Sequence, residues 1–328
     1  MSHDALVLGV DAGGTSTRAV LATPRGECLG YGVGGGGNPI SVGAEASARA
    51  VLDAVHGALA VAGRRAGDVS VIVAAMAGYT SGGGGERLRG LLAEHGFAGR
   101  LEFRSDLLAL YFSGTAAPAG YALVSGTGAC VIRVEDGDVA AAADGLGWLL
   151  GDRGSGFWIG HRVARAAAAD LDGGGPPTAL TDAVLTACGI ERGGTTVEGR
   201  PGELSRLVET LYAQRPVELS RFAPLAFDHE DDETARGILR EAGAALAATL
   251  EVVRTGPGPI VVGGSVLSRP GVLRDEFIRR ASRSGEALEI LRVGDGAAGA
   301  AYLALREAGD EPDASALAAL TATLARFR

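Results

Sequence analysis

The chain has 328 residues, of which 47% are hydrophobic, and a mean hydropathy of +0.20, so it is long and apolar enough to bury two domains of ordinary size. Its formal net charge of -9 and pI of about 5.2, with no basic run interleaved with aromatic residues, argue against nucleic acid and favour a small-molecule substrate. No stretch reaches the length of a membrane span, so no membrane partner is expected.

The first ten residues and the spacing of the cysteines indicate the cellular compartment in which the protein works. Residues 1–10 carry Asp4 and no basic segment before a short apolar run, which is not the pattern of a secretory signal. Cys28, Cys130 and Cys188 lie far apart without a C-x-x-C pair, so neither a disulfide framework nor a local zinc or iron–sulfur site is predicted. We therefore expect a cytoplasmic protein.

The first part of the chain predicts an antiparallel start followed by alternating helices and strands. Apolar, β-type runs predict strands at Leu6 to Val10, Thr17 to Ala22, Glu27 to Gly32, Val69 to Ala74 and Leu101 to Arg104. An amphipathic helix capped by Ser41 is predicted to run to about Ala62. A second helix is predicted near Glu86 to His95, after a flexible turn at Gly82 to Gly85.

The pattern then restarts, which we interpret as a weak internal duplication. Strands are predicted at Tyr121 to Val124, Cys130 to Glu135, Val139 to Ala142, Pro259 to Val262 and Leu288 to Val293. From Phe157 the chain is mostly helical until Pro259, and further helices are predicted from about Asp295 and from about Pro312 to the end. Strands with long helical crossovers in two successive halves predict an α/β fold with two mixed sheets flanked by helices and a cleft between them.

Two glycine and threonine loops each follow directly on a predicted strand: D-A-G-G-T-S-T-R at Asp11 to Arg18 and S-G-T-G-A at Ser125 to Ala129. Glycines leave backbone N–H groups open to phosphate oxygens, and threonine and serine add hydroxyls. The pair therefore predicts a phosphate-binding kinase whose two similar halves face one nucleotide. All thirty basic residues are arginine, which excludes a P-loop, a protein-kinase strand lysine and Schiff-base chemistry. The lack of G-x-G-x-x-G after the first strand argues against a Rossmann dinucleotide site.

Two aspartates follow predicted strands. Asp11 could hold Mg²⁺ beside a triphosphate or stabilise a tight turn, and the glycines and threonines after it favour the metal. Asp106 would reach the C-terminal edge of a sheet, where it could accept the proton of an attacking hydroxyl or cap the helix that starts near Leu107. From the residues alone, the helix cap is somewhat favoured.

A later glycine-rich segment has features of a sugar site. Gly145 to Gly160, G-L-G-W-L-L-G-D-R-G-S-G-F-W-I-G, places two tryptophans and Asp152 among glycines, and aromatic faces beside a carboxylate suit a sugar. The alternative, favoured when the segment is taken by itself, is a turn with core aromatics. Asn38, the single asparagine of the chain, lies in a glycine loop before Pro39 and could form a turn or bind a sugar hydroxyl.

Taken in order, these motifs resemble one known family. The chain resembles the N-acetylglucosamine kinase branch of the BadF/BadG/BcrA/BcrD ATPase family, in the actin, sugar kinase and hsp70 superfamily, on D-A-G-G-T-S-T-R, G-N-P, Ser105-Asp106, S-G-T-G, G-W-L-L-G-D-x-G-S-G-x-W-I-G and the G-G-S at Gly263 to Ser265. The resemblance spans nearly the whole chain. It implies two ribonuclease-H-like, actin-like ATPase domains that close over ATP and a hexosamine: residues 1–115 joined by the C-terminal helix 312–328, and residues 116–311 with a helical insertion.

The resemblance also implies individual roles. Asp11 would hold Mg²⁺, and Asp106 would be the base acting on the sugar 6-hydroxyl. The sugar contacts would be Asn38, Asp106, Thr127 and Asp152. The nucleotide contacts would be Gly13, Gly14, Thr15, Ser16, Thr17, Arg18, Gly126, Thr127, Gly128, Gly263, Gly264 and Ser265. The expected protein is a homodimer that phosphorylates N-acetylglucosamine with ATP and Mg²⁺.

Departures from the family pattern leave the substrate open. Asp144 to Gly147, Arg153 and Cys130 replace residues common in relatives, near the expected position of the sugar's 2-substituent. Glucosamine, with a free amine in place of the acetamide, is therefore the alternative substrate. An ATP-hydrolysing activator of a redox enzyme is a second function class, which the scattered cysteines disfavour. A sugar-sensing regulator without catalysis is a third.

Overall fold

The computed structural model of the chain describes residues 5–76, 84–282 and 288–328. Two five-stranded mixed sheets flanked by helices form the framework, which confirms the predicted α/β fold class. Residues 1–4 of the N-terminal segment, and Gly82 and Gly83 of the predicted turn, lie outside the described residues.

The first sheet confirms all five strands predicted for this part of the chain. It contains β1 (Leu6–Ala12), β2 (Thr17–Ala22), β3 (Cys28–Gly34), β4 (Val69–Met76) and β5 (Arg100–Arg104), in the order β3-β2-β1-β4-β5. β1, β2 and β3 are antiparallel neighbours, whereas β4 and β5 run parallel to β1. The C-terminal ends of β1, β4 and β5 therefore share one edge of the sheet, where α/β folds place ligands.

The second sheet repeats this arrangement. The second part of the chain contains β6 (Gly120–Ser125), β7 (Ala129–Glu135), β8 (Asp138–Asp144), β9 (Thr196–Val197), β10 (Arg200–Pro201), β11 (Ile260–Gly263) and β12 (Ile290–Arg292). The sheet order is β12-β11-β6-β7-β8, with β6, β7 and β8 antiparallel and β11 parallel to both β6 and β12. β9 and β10 form a separate hairpin that the sequence did not predict.

Helices fill the connections. They are α1 (Pro39–Val42), α2 (Ala44–Ala62), α3 (Gly84–Glu94), α4 (Asp106–Gly114), α5 (Gly156–Leu171), α6 (Leu180–Ala187), α7 (Gly202–Tyr212), α8 (Ala223–Asp228), α9 (Glu233–Val253), α10 (Val272–Ala281), α11 (Ala297–Ala308) and α12 (Ala314–Leu324). Short 3-10 turns occur at Ala66–Asp68, Pro216–Phe222 and Ala325–Phe327. Across the part of the chain that the structure describes, no helix is both long and apolar enough to cross a bilayer.

The apolar core is divided into three clusters. One lies between the first sheet and helices α2 and α3, and another joins the second sheet to the helices that begin with α5. The third lies between the two sheets and contains α4, α11 and α12. The molecule is thus layered, with α4 and α11 in its middle layer.

Helices α4 and α11 approach each other at backbone distance. A Cβ built on Gly299 would lie 1.8 Å from Ala109 O, so only glycine fits there. Gly299 N also donates to Ser113 Oγ at 2.8 Å. Helix α11, which the prediction assigned to the second domain, packs against β1 and β4 of the first sheet. The division of the chain into two domains stays a prediction.

The start of the first long helix differs from the prediction. Asn38, and not Ser41, is the N-cap, and it begins the short helix α1 with Pro39 at its first position. α2 then starts after Gly43 without a side-chain cap. Asparagine before proline is a strong N-terminal signal, because the asparagine oxygen accepts an orphan N–H and proline fits the first helical position. The predicted end of the helix at Ala62 is confirmed.

Candidate active site

Asp11 lies at the C-terminal end of β1, next to the start of α11. Its side chain is almost completely buried, and Oδ2 accepts a hydrogen bond from Gly296 N at 3.0 Å. Burial raises the pKa of Asp11 to about 6; the Gly296 bond and Arg18 lower this pKa, whereas Asp295 and Asp106 raise it. Mg²⁺ is bound in nucleotide sites by one or two carboxylates together with phosphate oxygens, and this carboxyl fits that use.

Asp295 is a site residue that the sequence analysis missed. Its carboxylate lies 3.3 Å from Arg18 Nε and 2.7 Å from Arg328 Nη2, and Oδ1 also accepts a hydrogen bond from Ala297 N at 3.0 Å. It therefore holds Arg18 beside Asp11 at the beginning of α11. The signal that could have found it is the order strand, aspartate, glycine, which occurs after the last strand as it does after the first.

The first glycine loop presents its tip to solvent. Gly13 N donates to Ser16 O at 3.1 Å, and Gly37 N donates to Gly13 O at 2.8 Å. Gly14 and Thr15 are exposed, whereas Gly13 and Ser16 are half-buried. The loop thus has a fixed backbone and an open surface, as a phosphate contact requires.

Thr17 and Arg18 are also predicted to contact the nucleotide, but their side chains have partners within the protein, and those of Arg18 are Asp11 and Asp295. Thr17 is fully buried, and its hydroxyl donates to Gly35 O at 2.8 Å. A Cβ on Gly37 would lie 2.4 Å from Thr17 Oγ1, so the glycine segment before Asn38 packs directly on this residue. Both side chains hold the loop in shape, and their contact with nucleotide stays a prediction.

The second glycine loop, at Gly126 to Gly128, is tied to the start of α5. Gly126 N donates to Gly128 O at 2.9 Å and closes the loop. Gly156 N donates to Gly126 O at 2.7 Å, and Phe157 N donates to Thr127 O at 3.1 Å. The Thr127 side chain is left exposed, at the N-terminal end of a helix, where an anion is favoured.

The third predicted nucleotide segment meets the second loop. Gly264 has a φ of 88°, and a Cβ there would lie 2.3 Å from Ser125 O. Val266 N donates to the same carbonyl at 2.9 Å. Gly263 is buried and Ser265 is exposed. The end of β11 is therefore joined to the end of β6, as the two loops of one nucleotide site would be.

Asp106 stands at the first position of α4, between the two halves. Ser105 is the N-cap, with Oγ accepting from Leu107 N at 3.2 Å, and Asp106 Oδ1 accepts from the same N–H at 3.0 Å. Burial raises the pKa of Asp106, and its charge in turn raises the pKa of Asp11 in the first sheet and of Cys130 in the second. Ser105 therefore supplies the helix cap, which the sequence left open between Ser105 and Asp106.

Asp152 is positioned by a residue outside the predicted contacts, Asp144. Asp144 Oδ1 accepts from Asp152 N at 2.6 Å, and Oδ2 accepts from Arg153 N at 2.9 Å. Asp152 Oδ1 in turn accepts from Ala129 N at 3.1 Å. Burial raises the pKa of Asp152, and the charge of Asp144 also raises it. Asp144 thus fixes the turn that carries Asp152 against the second glycine loop.

Cys130 lies among three carboxylates. Burial, together with the charges of Asp106, Asp144 and Asp152, raises the thiol pKa to about 11. A Cβ on Gly145 would lie 2.8 Å from Cys130 Sγ, so the turn after β8 covers the thiol closely. Within residues 5–76, 84–282 and 288–328, no cationic side chain lies within 4.0 Å of these three carboxylates, and no cluster of three histidine, cysteine or acidic residues could hold a metal without phosphate.

Asn38 caps α1, with Oδ1 accepting from Ile40 N at 2.9 Å. The turn-forming role that the sequence offered is therefore present. Asn38 is half-buried and follows Gly37, which is bonded to the first glycine loop. The structure thus brings Asn38 to the same side of the molecule as Asp11, and its contact with a sugar stays a prediction.

Comparison with known proteins identifies the family. Residues 8–304 match the BadF/BadG/BcrA/BcrD ATPase family. The chain belongs to this family.

Two relatives of this BadF/BadG/BcrA/BcrD family member are sugar kinases by name. The chain is 27% identical over 322 residues to the N-acetyl-D-glucosamine kinase of Dictyostelium discoideum, covering 92% of this chain and 98% of the relative. It is 25% identical over 268 residues to the glucosamine kinase GspK of Vibrio cholerae, covering 80% and 85%.

Solved structures share the fold. A Chromobacterium violaceum protein provisionally named N-acetylglucosamine kinase superposes with a TM-score of 0.70 at 26% identity, covering 92% of this chain and 99% of that one. A ROK family glucokinase from Streptomyces griseus, solved with glucose and AMPPNP, gives a TM-score of 0.51 at 18% identity, covering 92% and 99%. The predicted ribonuclease-H-like, actin-like architecture is confirmed.

Proposed function

We propose that this BadF/BadG/BcrA/BcrD family member is an ATP-dependent hexosamine kinase that phosphorylates the 6-hydroxyl of N-acetylglucosamine. The observation that carries the proposal is the position of Asp106. It lies at the start of α4, close enough to Asp11 in one half and to Cys130 in the other to alter the pKa of both. A base between two halves that each carry a phosphate-type loop and a predicted sugar contact is the arrangement that in-line phosphoryl transfer needs.

Asp106 would accept the proton of the attacking hydroxyl. Burial raises the pKa of Asp106, which brings its proton affinity closer to that of a base working near neutral pH. The hydrogen bond from Leu107 N fixes Oδ1, so the carboxylate keeps one orientation while the sugar is bound. The sugar hydroxyl would then approach, and transfer its proton to, a carboxylate group whose two oxygens are held in a fixed position.

The two glycine loops would hold ATP from both sides. Gly13 to Ser16 offer open backbone at the end of β1, and Gly126 to Gly128 offer it at the end of β6. Asp11 would hold Mg²⁺, which when bound offsets the charge of the β- and γ-phosphates. The chain contains no lysine, and among the described residues Arg18 is the cation within 4.0 Å of Asp11, at 3.8 Å.

Glucosamine is the second candidate substrate, and one observation favours it. The charges of Asp106, Asp144 and Asp152 each raise the pKa of Cys130, and these carboxylates have no cationic partner within 4.0 Å among the described residues. A free amine at C2 would carry a positive charge to this cluster, whereas an acetamide would not. The redox-activator class receives no such support, because the three cysteines lie on separate elements.

A coupled ADP-release assay over a panel of sugars tests the proposal. The panel contains N-acetylglucosamine, glucosamine, N-acetylmannosamine and glucose, each with ATP and Mg²⁺, and the position of the phosphate is read by NMR. We expect turnover with a hexosamine and phosphate on the 6-oxygen. Absence of turnover with every hexosamine would refute the proposed function.

We further propose, from the family resemblance, a homodimer that works in the cytoplasm. Light scattering coupled to size exclusion measures the first point, and fractionation of cells that express the chain measures the second. A monomer at micromolar concentration would contradict the dimer without affecting the kinase assignment.

A further inference from the structure

Four charged side chains alternate in sign at the proposed metal ligand. Arg18 Nη1 lies 3.8 Å from Asp11 Oδ2, and Arg18 Nε lies 3.3 Å from Asp295 Oδ2. Asp295 Oδ1 accepts a hydrogen bond from Arg328 Nη2 at 2.7 Å. We call these four residues the ion-pair network. When both carboxyls are ionised, the network is neutral only because Arg328 belongs to it.

Arg328 joins the network from a different layer of the molecule. The strand register places Arg18 beside Asp11, and Asp295 lies two residues before α11. Arg328 instead follows α12, and its guanidinium lies 5.6 Å from the ring centroid of Tyr31 on β3. A residue that belongs to neither glycine loop is therefore in direct contact with the carboxylate that holds Arg18.

Arg18 cannot compensate both of its acidic neighbours by itself, because one guanidinium charge is shared between Asp11 and Asp295. The charge of Asp295 acts on the proposed metal ligand, since it raises the pKa of Asp11. Nucleotide phosphates at the first glycine loop would be repelled by the same charge. Arg328 offsets this charge and leaves more of the Arg18 charge for an anion at the loop.

We propose that Arg328 is a positioning residue for the nucleotide phosphates and that it acts through Asp295 and Arg18. By pairing with one oxygen of Asp295, Arg328 confines the Arg18 contact to the other oxygen and offsets negative charge beside the phosphate loop. The inference rests on the proposed function for the presence of a nucleotide at this loop. Its test needs neither sugar nor metal.

Binding of ADP and of adenosine, both without Mg²⁺, separates this role from a purely structural one. Adenosine has the same base and ribose but no phosphate, so its affinity should not respond to a charge beside the phosphate loop. In Arg328→Gln, calorimetry at low salt should give a Kd for ADP about threefold to tenfold higher and an unchanged Kd for adenosine. The difference should disappear at about 1 M NaCl, where the Debye length falls to about 3 Å.

Two matched variants show whether the effect passes through Asp295. Arg326→Gln removes the same charge from the neighbouring turn, where Arg326 is exposed and forms no ion pair with a residue that the structure describes, so both constants should stay unchanged. Asp295→Asn removes the charge that Arg328 offsets, while the amide oxygen can still accept from Ala297 N. In that background, Arg328→Gln should raise the Kd for ADP less than about twofold. Arg328→Lys keeps the charge and should restore part of the affinity.

Three results would overturn the inference. An unchanged ADP constant in Arg328→Gln removes the effect on phosphate, and an equal loss for ADP and adenosine assigns Arg328 a structural role. A full loss in the Asp295→Asn background removes Asp295 as the intermediary. If the wild-type protein binds no ADP, the inference and the proposed function both fail. If it binds ADP with the expected pattern but phosphorylates no hexosamine, the proposed function alone fails.

Discussion

The carboxylate of Asp11 accepts a hydrogen bond from the backbone N–H of Gly296 at 3.0 Å, although 285 positions separate the two residues. This bond joins the end of the first strand to the start of α11, whose N-terminus favours negative charge. It opposes the effect of burial, which nevertheless raises the pKa of Asp11 to about 6. The proposed metal ligand is thus a carboxyl whose ionised form is costly without a cation.

The raised pKa of Asp11 makes the stability of the folded protein depend on pH. The folded pKa of Asp11, about 6, lies above the ordinary 3.8, so the folded protein holds this proton more tightly than the unfolded chain. The stability that the proton supplies is complete below about pH 4 and is lost as the pH rises through about 6. As the pH rises from about 4 to about 8, the free energy of unfolding of Asp11→Asn should therefore increase by about 2 kcal/mol relative to that of wild type. Urea titrations without Mg²⁺ measure this difference; an equal offset at both pH values would contradict it.

Asp106→Asn should abolish transfer while nucleotide still binds. The amide keeps the size and the contact with Leu107 N but cannot accept the hydroxyl proton, so kcat should fall about 10²- to 10⁴-fold. The control is Asp138→Asn, an exposed carboxylate on β8, which should leave kcat unchanged. Steady-state kinetics and calorimetry with ATP measure the two effects. Wild-type turnover in Asp106→Asn would move the base to another residue.

The Cys130 thiol reports on the charge of Asp106 without any assay of activity. Because Asp106 raises the pKa of Cys130, removing its charge in Asp106→Asn should lower that pKa and speed alkylation by iodoacetamide about threefold to tenfold near pH 8. Mass spectrometry of the Cys130 peptide gives the rate, and bound sugar should slow it. Asp138→Asn serves again as the control. An unaltered rate in Asp106→Asn would show that the two groups are not near each other.

Asp144→Asn should raise the KM for the sugar more than the KM for ATP. Asp144 accepts hydrogen bonds from both Asp152 N and Arg153 N, and an asparagine amide would present its NH₂ group to one of these donors. Loss of a hydrogen bond to a charged group that orients Asp152 should raise the sugar KM about 10- to 100-fold. The KM for ATP should remain at its wild-type value, and a parallel rise in both constants would contradict a role confined to Asp152.

Gly264→Ala should loosen the junction between β11 and the second glycine loop. The φ of 88° disfavours any side chain, and a Cβ would lie 2.3 Å from Ser125 O, so the substitution should cost about 2 kcal/mol or more. Gly237→Ala on α9 has open space around its Cβ and should stabilise the protein by about 0.5–1 kcal/mol. Thermal unfolding measures both. If Gly264→Ala leaves the thermal stability unchanged, the backbone at the junction can shift to accommodate the added methyl group.

Much of the framework could be predicted from the sequence because its strands are short apolar runs that end at glycines and aspartates. The two phosphate-type loops were recognisable for the same reason, since each follows a strand and combines glycine with hydroxyl residues. The hairpin of β9 and β10 escaped prediction, because its two-residue strands are exposed and carry no apolar alternation. Ser41 has the side chain of a helix cap, but the Asn-Pro pair fits the first turn better and Asn38 is the cap.

The contacts of two acidic residues of the site could not be predicted from local sequence pattern. Asp144 acts on backbone N–H groups eight and nine residues away, which approach it only because the turn after β8 folds back. Asp295 forms an ion pair with Arg18, although the two residues lie near opposite ends of the sequence. Contacts of this kind depend on how the sheets and helices pack, and no spacing within one element reveals them.

The backbone contact between α4 and α11 at Gly299 has a mechanical consequence. Asp106 heads one of these helices, and the N–H that holds Asp11 heads the other. Because the two helices are in contact at backbone distance, we expect them to move together, so the spacing between Asp106, the proposed base, and Asp11, the proposed metal ligand, should be preserved when the outer layers move. If the two halves open and close, the movement would change the access of substrate and water to the proposed reaction centre. The distance between Asp11 and Asp106 would stay the same.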